Sequence, residues 1–290
     1  MSVGLDWQCI QCHLNRSLDI VRELGDGDTH TAFARELLKL YLSAPESANA
    51  PWLGPATSDL MHRFYGVEID RFRREKEESN RFILERMDAI RERIRASEDP
   101  VAAALRFAIL GNYLDFAALR NEVSFERLDE MLAQALEMEL DENCYVNFRE
   151  ELAAKDKLLY LTDNAGEIGF DRLFAEELQR AYPHLQITFC VRGDIAQNDA
   201  TRADAAAVGI PFPVIDNGTR IAGTQLDQLS PEALAAMNGA DVILSKGQGN
   251  VETLLGCGYN IYYAFLIKCG RFEKRFGKKK LTPMFVKERA

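Results

Sequence analysis

A short apolar run at 158–161 that ends in Asp163-Asn164-Ala165-Gly166-Glu167-Ile168-Gly169 and then passes into an amphipathic helical pattern constrains this chain more than any other stretch. Such a run reads as a buried strand whose polar end delivers oxygen ligands to the mouth of an α/β sheet. The same grammar repeats after Lys155. Strands are expected at 157–162, 186–192, 212–216, 241–245 and 260–266, with helices starting near Ile168, Asp199, Pro231 and Asn250. A β-α-β series of this kind implies an α/β fold with a parallel, doubly wound sheet.

Up to about Glu150 the pattern is helical instead, with punctuation at Gly25-Asp26-Gly27, at 50–55 and at Asp99-Pro100. Within it, 58–96 is dense in Arg and Glu, while Phe64, Ile69, Phe72, Phe82, Ile83, Met87, Ile90 and Ile94 follow mostly helical spacing. That predicts long amphipathic helices with a solvated face. The expected organisation is a helical N-terminal subdomain, 1–154, and an α/β domain, 155–290. Repeats and low-complexity segments are absent.

A formal charge of −10 speaks against nonspecific binding to nucleic acid or an anionic membrane, which requires Lys and Arg against phosphates. The run Lys278-Lys279-Lys280 is read as solvated surface. With 290 residues, 47% of them hydrophobic, the chain can bury a large core. It shows neither an 18-residue apolar run nor a basic-then-apolar leader, so a soluble cytoplasmic protein is expected. Six thinly spread cysteines fit reduced thiols.

Three expected strands end in polar residues: Asp163-Asn164, Arg192-Gly193-Asp194 leading to Asn198-Asp199, and Ser245-Lys246-Gly247-Gln248-Gly249-Asn250. Ligands bind at that edge of open α/β sheets, so the three loops are candidates for one site. Asp163, Asn164 and Asp199 form a hard-oxygen set suited to Mg²⁺, Mn²⁺ or a similar ion, without the thiolate or imidazole that zinc prefers. The plainer reading is an Asp that caps a helix beside a turn Asn. In 246–250, two glycines, a helix start and the Lys246 charge suggest an anion cradle, although neither the Walker loop nor the dinucleotide fingerprint is present.

Cys9-Ile10-Gln11-Cys12-His13 matches the spacing of c-type haem attachment, but no leader accompanies it. A zinc site would need ligands from elsewhere, and a thioredoxin-like pair would follow a strand. Structural, metal and redox uses of Cys9 and Cys12 stay open. His30, His62 and His184 form no metal or triad spacing, and the absence of Gly-x-Ser-x-Gly argues against an esterase.

Taken together, Asp163-Asn164-Ala165-Gly166-Glu167, Val191-Arg192-Gly193 with Asn198-Asp199-Ala200-Thr201, the 245–250 loop, Gly111-Asn112-Tyr113-Leu114-Asp115-Phe116 and the N-terminal cysteine pair resemble the damage-control phosphatases, the domain of unknown function 89 family. The cysteine pair is similar to the stand-alone prokaryotic branch. The resemblance implies a three-layer α/β/α sandwich with a mainly parallel sheet behind a helical part. It also implies divalent-metal-dependent hydrolysis, with Mn, Co, Ni or Mg, of small phosphometabolites of the sugar phosphate, nucleotide or phosphopantetheine type.

By position, Asp163, Asn164 and Asp199 match the metal ligands. Asp163, Glu167 and Lys246 are the expected catalytic residues, and Asn112, Asp115, Arg192, Lys246 and Asn250 the substrate-binding ones. Asp194 departs from the pattern, which expects a small residue after Arg192-Gly193, and an extra carboxylate there would alter metal charge or substrate access.

The expected chemistry is attack on phosphorus by a metal-activated water, with Lys246 and loop amides stabilising the equatorial oxygens. The alternative is an aspartyl-phosphate, against which Ala165 stands where an Asp-x-Asp motif needs its second carboxylate. Two other classes compete: S-adenosylmethionine-dependent carboxyl methyl transfer, whose glycine-rich loop is only faintly echoed by Gly166-Glu167-Ile168-Gly169, and a non-catalytic metal- or nucleotide-binding module.

Overall fold

A computed structural model describes residues 4–287. Seven helices come first: α1 (Trp7–Val21), α2 (Gly27–Ser43), α3 (Gly54–Tyr65), α4 (Arg73–Arg95), α5 (Pro100–Gly111), α6 (Phe125–Ala133) and α7 (Glu142–Ala154). Their starts follow local chemistry. The carboxylates of Asp6, Asp26, Asp99 and Asp141 each accept a backbone N–H of the first turn, and Pro100 occupies the first helical position, where no N–H is needed.

The alternating half follows as β1 (Lys157–Leu161), α8 (Glu167–Ala181), β2 (Gln186–Val191), α9 (Arg202–Ala207), β3 (Val214–Asp216), α10 (Pro231–Gly239), β4 (Val242–Lys246), α11 (Gln248–Leu254), β5 (Ile261–Leu266), α12 (Gly270–Phe276) and β6 (Pro283–Lys287). The six strands lie in the order β3-β2-β1-β4-β5-β6. The first five are parallel, and β6 pairs antiparallel with β5. All five expected strands are present within two residues at each end. The antiparallel edge strand β6 was not anticipated.

The chain moves outward from β1 to β2 and β3, then returns to place β4 on the other side of β1. The β1–β4 boundary is therefore the switch point, where a crevice opens beyond the strand ends.

Apolar side chains from both faces of the sheet make two cores. One joins β1, β2 and β4–β6 to α4–α8 through residues such as Ile83, Phe107, Phe148, Phe170 and Phe174; the other joins the sheet to α10–α12 through Met237, Leu254 and Phe272. The helices α4–α7 thus form one outer layer of the sandwich. A separate small cluster, Val21, Phe33, Leu37 and Met61, holds α1–α3 together.

The face of α4 expected to be solvated is partly buried: Lys76, Ser79 and Asn80 lie under α8 and α9, with Lys76 Nζ 2.8 Å and Asn80 Nδ2 2.9 Å from the Asp204 carboxylate. Among the described residues, no helix is long and apolar enough to cross a membrane.

Candidate active site

Five segments converge on the switch point. Just past β1, Asp163 C=O accepts Ala200 N–H at 2.7 Å, and Asn164 forms an isolated antiparallel bridge with Asp199, so the loop after β2 folds back across the end of β1. Asn198 secures this fold. Its Nδ2 donates to Asn164 Oδ1 at 2.9 Å and to Leu114 C=O at 3.0 Å, and its Oδ1 accepts Ala117 N–H, which brings in the segment after α5.

Asp163, Asn164 and Asp199 are all buried side by side. Asp163 Oδ2 accepts from Asn112 Nδ2 at 2.9 Å and Asn164 Nδ2 at 2.8 Å. Arg192 Nε donates to Asp199 Oδ2 at 2.6 Å, while its Nη2, 3.6 Å from Asp163 Oδ1, is buried without a hydrogen-bond partner.

Gly247, with φ +79°, makes the arrangement possible, because a Cβ there would fall 1.9 Å from Asp163 Oδ2. Burial, then the neighbouring charges of Asp199 and Glu167, push the Asp163 carboxyl well above its ordinary value. Burial likewise lifts Asp199, against the pull of Arg192, to about 6. Two buried carboxylates that resist joint ionisation, together with an amide, are a donor set that a hard divalent cation satisfies. Among the described residues, no three His, Cys, Asp or Glu side chains gather in a metal-holding group; the set is two carboxylates and an amide.

Beneath this layer lies a second one. Glu167 is fully buried and accepts from Asn112 Nδ2, Asn164 Nδ2 at 2.7 Å and Lys246 Nζ at 2.7 Å. Lys246 also donates to Asp171 Oδ1 at 2.5 Å and to Ala108 C=O at 2.9 Å. Burial opposes the Lys246 charge, but Asp171 and Glu167 outweigh it and raise its proton affinity. Asp171 is lifted by burial, against Lys246, to about 7, and accepts from the Tyr160 hydroxyl at 2.8 Å.

To one side, Lys268, two residues past β5, places Nζ 2.7 Å from Asp115 Oδ2. Burial opposes the Asp115 charge, but Lys268 outweighs it and holds the carboxyl low.

A family model described as the damage-control phosphatase ARMT1-like domain matches residues 6–281. The chain belongs to the damage-control phosphatase family. It is 30% identical to a damage-control phosphatase of Pyrococcus horikoshii, with 91% of each chain covered. It is also 30% identical to a damage-control phosphatase of Archaeoglobus fulgidus over 79% of each chain, and to an uncharacterised protein of Methanocaldococcus jannaschii over 95% of this chain and 93% of that one. The crystal structure of a domain of unknown function 89 family protein from Pyrococcus horikoshii matches with a TM-score of 0.83 and 28% identity over 99% of each chain.

Within this damage-control phosphatase fold, Asp163, Asn164, Asp199, Arg192, Asn112 and Glu167 come together, with Asp115 at their edge through Lys268. Lys246 and Asn250 differ from expectation. Lys246 points into the core, and its ammonium is committed to Glu167, Asp171 and a backbone carbonyl, so it offers no charge at the loop rim. Asn250 is a brace: it donates to Thr162 and Lys246 carbonyls and accepts from Thr224 Oγ1. The loop glycines serve close packing, Gly247 against Asp163 and Gly249 against Ala222 C=O.

Asp194 is exposed and accepts the Ile195 N–H within its own turn. Cys9 and Cys12 sit on α1, where Cys9 Sγ accepts from Arg271 Nη1 at 3.1 Å and Cys12 is exposed; both are free thiols.

Proposed function

We propose that the chain is a divalent-metal-dependent phosphatase that hydrolyses small phosphorylated metabolites. The observation that carries this reading is the buried Asp163, Asn164 and Asp199 set at the switch point, with Lys268 and Arg192 beside it. Asp163, Asn164 and Asp199 would hold the ion, which supplies Lewis acidity toward a phosphoryl oxygen and a more acidic water. Arg192 aligns both carboxylates. Lys268, the cation at the edge of the pair, takes the role of stabilising charge that builds on the phosphoryl oxygens.

Glu167 and Lys246 act as positioning residues: Lys246 fixes Glu167, Glu167 fixes the amides of Asn112 and Asn164, and those amides fix Asp163. Gly166 and Gly169 are pressed against Ser79 and Ile83 of α4, with added Cβ atoms falling at 2.5 and 2.7 Å. That supports phosphate chemistry over a methyl-donor loop at the same place.

The test is hydrolysis of an aryl phosphate after chelation, with Mn²⁺, Co²⁺, Ni²⁺ or Mg²⁺ added back, followed by a panel of sugar phosphates, nucleotides and phosphopantetheine compounds. Activity should vanish on chelation and return with at least one ion. Full activity in rigorously metal-free protein would overturn the reading.

A further inference from the structure

The helical layer holds a second concentration of charge that the sheet-end chemistry does not use. Between α1, α3 and residues 195–197 lies a cavity of about 60 Å³, whose wall includes His13, Arg16, Thr57, Arg71, Gln197 and Arg220. That is several times the roughly 10–15 Å³ needed for one water. It adjoins the candidate active site, because 195–197 runs directly into Asn198-Asp199 and Asp199 N–H donates to Ala196 C=O at 3.0 Å.

Among the described residues, two of the three lining arginines lack an ion-pair partner. Arg220 is paired with Asp59. Arg16 and Arg71 have no carboxylate within ion-pair distance among the described residues, and the acidic groups near them are already engaged, Asp115 by Lys268 and Asp19 by Arg22 and Arg120. The polar contact of Arg71 is Met61 Sδ at 3.5 Å, and its guanidinium lies 4.8 Å from the Phe72 ring centre.

Burial, then repulsion from Arg16 and Arg120, lowers the proton affinity of Arg71 to about 10. His13 closes one wall, tied to Tyr41 Oη at 2.9 Å and Thr57 Oγ1 at 3.3 Å. Crowded guanidinium groups without an ion pair, beside an Asp115 already committed to Lys268 and in a chain of net charge −10, mark a place where a further anion comes from outside.

We propose that this cavity is a second anion subsite, in which Arg16 and Arg71 hold a carboxylate or phosphate remote from the scissile phosphate. The preferred substrates are then small metabolites with two anionic groups. The proposal rests on the phosphatase reading for the scissile end.

The kinetic test compares kcat/KM for a hexose bisphosphate, a phosphorylated sugar acid and the matching hexose monophosphate in wild type, Arg16→Gln, Arg71→Gln and Arg71→Lys. The preference for doubly anionic esters should fall roughly tenfold or more in each Gln variant, mainly through KM, and Arg71→Lys should keep part of it. Loss on the bisphosphate alone identifies the remote group as phosphate, and loss on the sugar acid alone identifies it as carboxylate. An unchanged preference overturns the proposal.

A second arm needs no turnover: calorimetric titration of inorganic sulfate into the full chain should show binding that weakens at least tenfold in Arg71→Gln. Sulfate binding unaffected by both Gln variants also overturns it. If no ester is hydrolysed, the phosphatase reading fails, and the sulfate arm alone decides the subsite. Melting curves confirm that each variant is folded.

Discussion

The two charged regions on either side of the 195–199 loop are built on opposite terms. At the sheet end, Asp199 has Arg192, Asp115 has Lys268, and Glu167 and Asp171 share Lys246. In the cavity under α1 and α3, Arg16 and Arg71 have no ion pair among the described residues, since the Asp115 carboxylate whose charge reaches Arg16 is already held by Lys268. Both regions are partly or wholly out of water, so the contrast is not one of solvent screening. It separates charges that the fold sets against an opposite charge from charges that it leaves without an ion pair. Substitutions in the deeper Lys246, Glu167 and Asp171 layer should therefore register mainly in stability, and those at the Asp163–Asp199 pair, at Lys268 and in the second region mainly in function.

The largest effect should come from Lys246→Met. It strands Glu167 and Asp171 in the core, and breaking a buried pair by removing one partner costs about 3–5 kcal/mol. Urea denaturation checks this. A loss below about 1 kcal/mol, with activity destroyed, would return Lys246 to the role of phosphate contact expected from sequence.

Lys268→Ala should do the reverse. Its partner Asp115 keeps 14% of its side-chain surface exposed and accepts the Ala118 N–H, so folding is affected less than in Lys246→Met. Removing a cation that faces a developing charge costs on the order of 10²–10³ in kcat/KM. Steady-state kinetics beside a melting curve decides it, and near-normal turnover would take Lys268 out of the site.

The smallest of these effects concerns one further carboxyl. Glu252, on α11, accepts from Gln248 Nε2 at 2.9 Å, and burial lifts its carboxyl from 4.5 to about 7 against that hydrogen bond and Arg271. A raised folded-state value means the native state holds the proton more tightly than the unfolded chain. This stabilisation is complete below pH 4.5 and lost as pH rises through about 7. Glu252→Gln should flatten the fall in stability across that window, a difference of about 1–3 kcal/mol at neutral pH. Parallel pH–melting curves for the two proteins would show that Glu252 carries no burial cost.

The parallel sheet was legible because buried strands leave uninterrupted apolar runs, and the nearness of Asp163 and Asn164 to Asp199 was legible because the first two follow the end of one such run and the third lies in the loop after the next. Strand β6 was not, since Pro283–Lys287 is an edge strand after a basic run, paired antiparallel and only half covered. Lys246 misled for a physical reason: a lysine at a strand end normally reaches water, and only α5 and α8 packed over β4 turn it inward.

Lys268 carried no motif signal, being one cation after a long apolar run, although its place just beyond a strand end was the available clue. Arg71 lay unremarked in the Arg- and Glu-rich stretch read as solvated, since pattern alone does not reveal which arginine of such a stretch lacks a partner.

Gly247 gives the site an unusual point of failure. Its missing side chain is the space in which the Asp163 carboxylate sits, so the pair behaves as one part divided between two loops 84 positions apart. Damage to the site therefore need not touch any group that does chemistry: a single methyl at 247 would evict Asp163 and leave every ligand, lysine and arginine written in the sequence. Screening a genome for intact copies of this machinery by its charged residues alone would count such a chain as active.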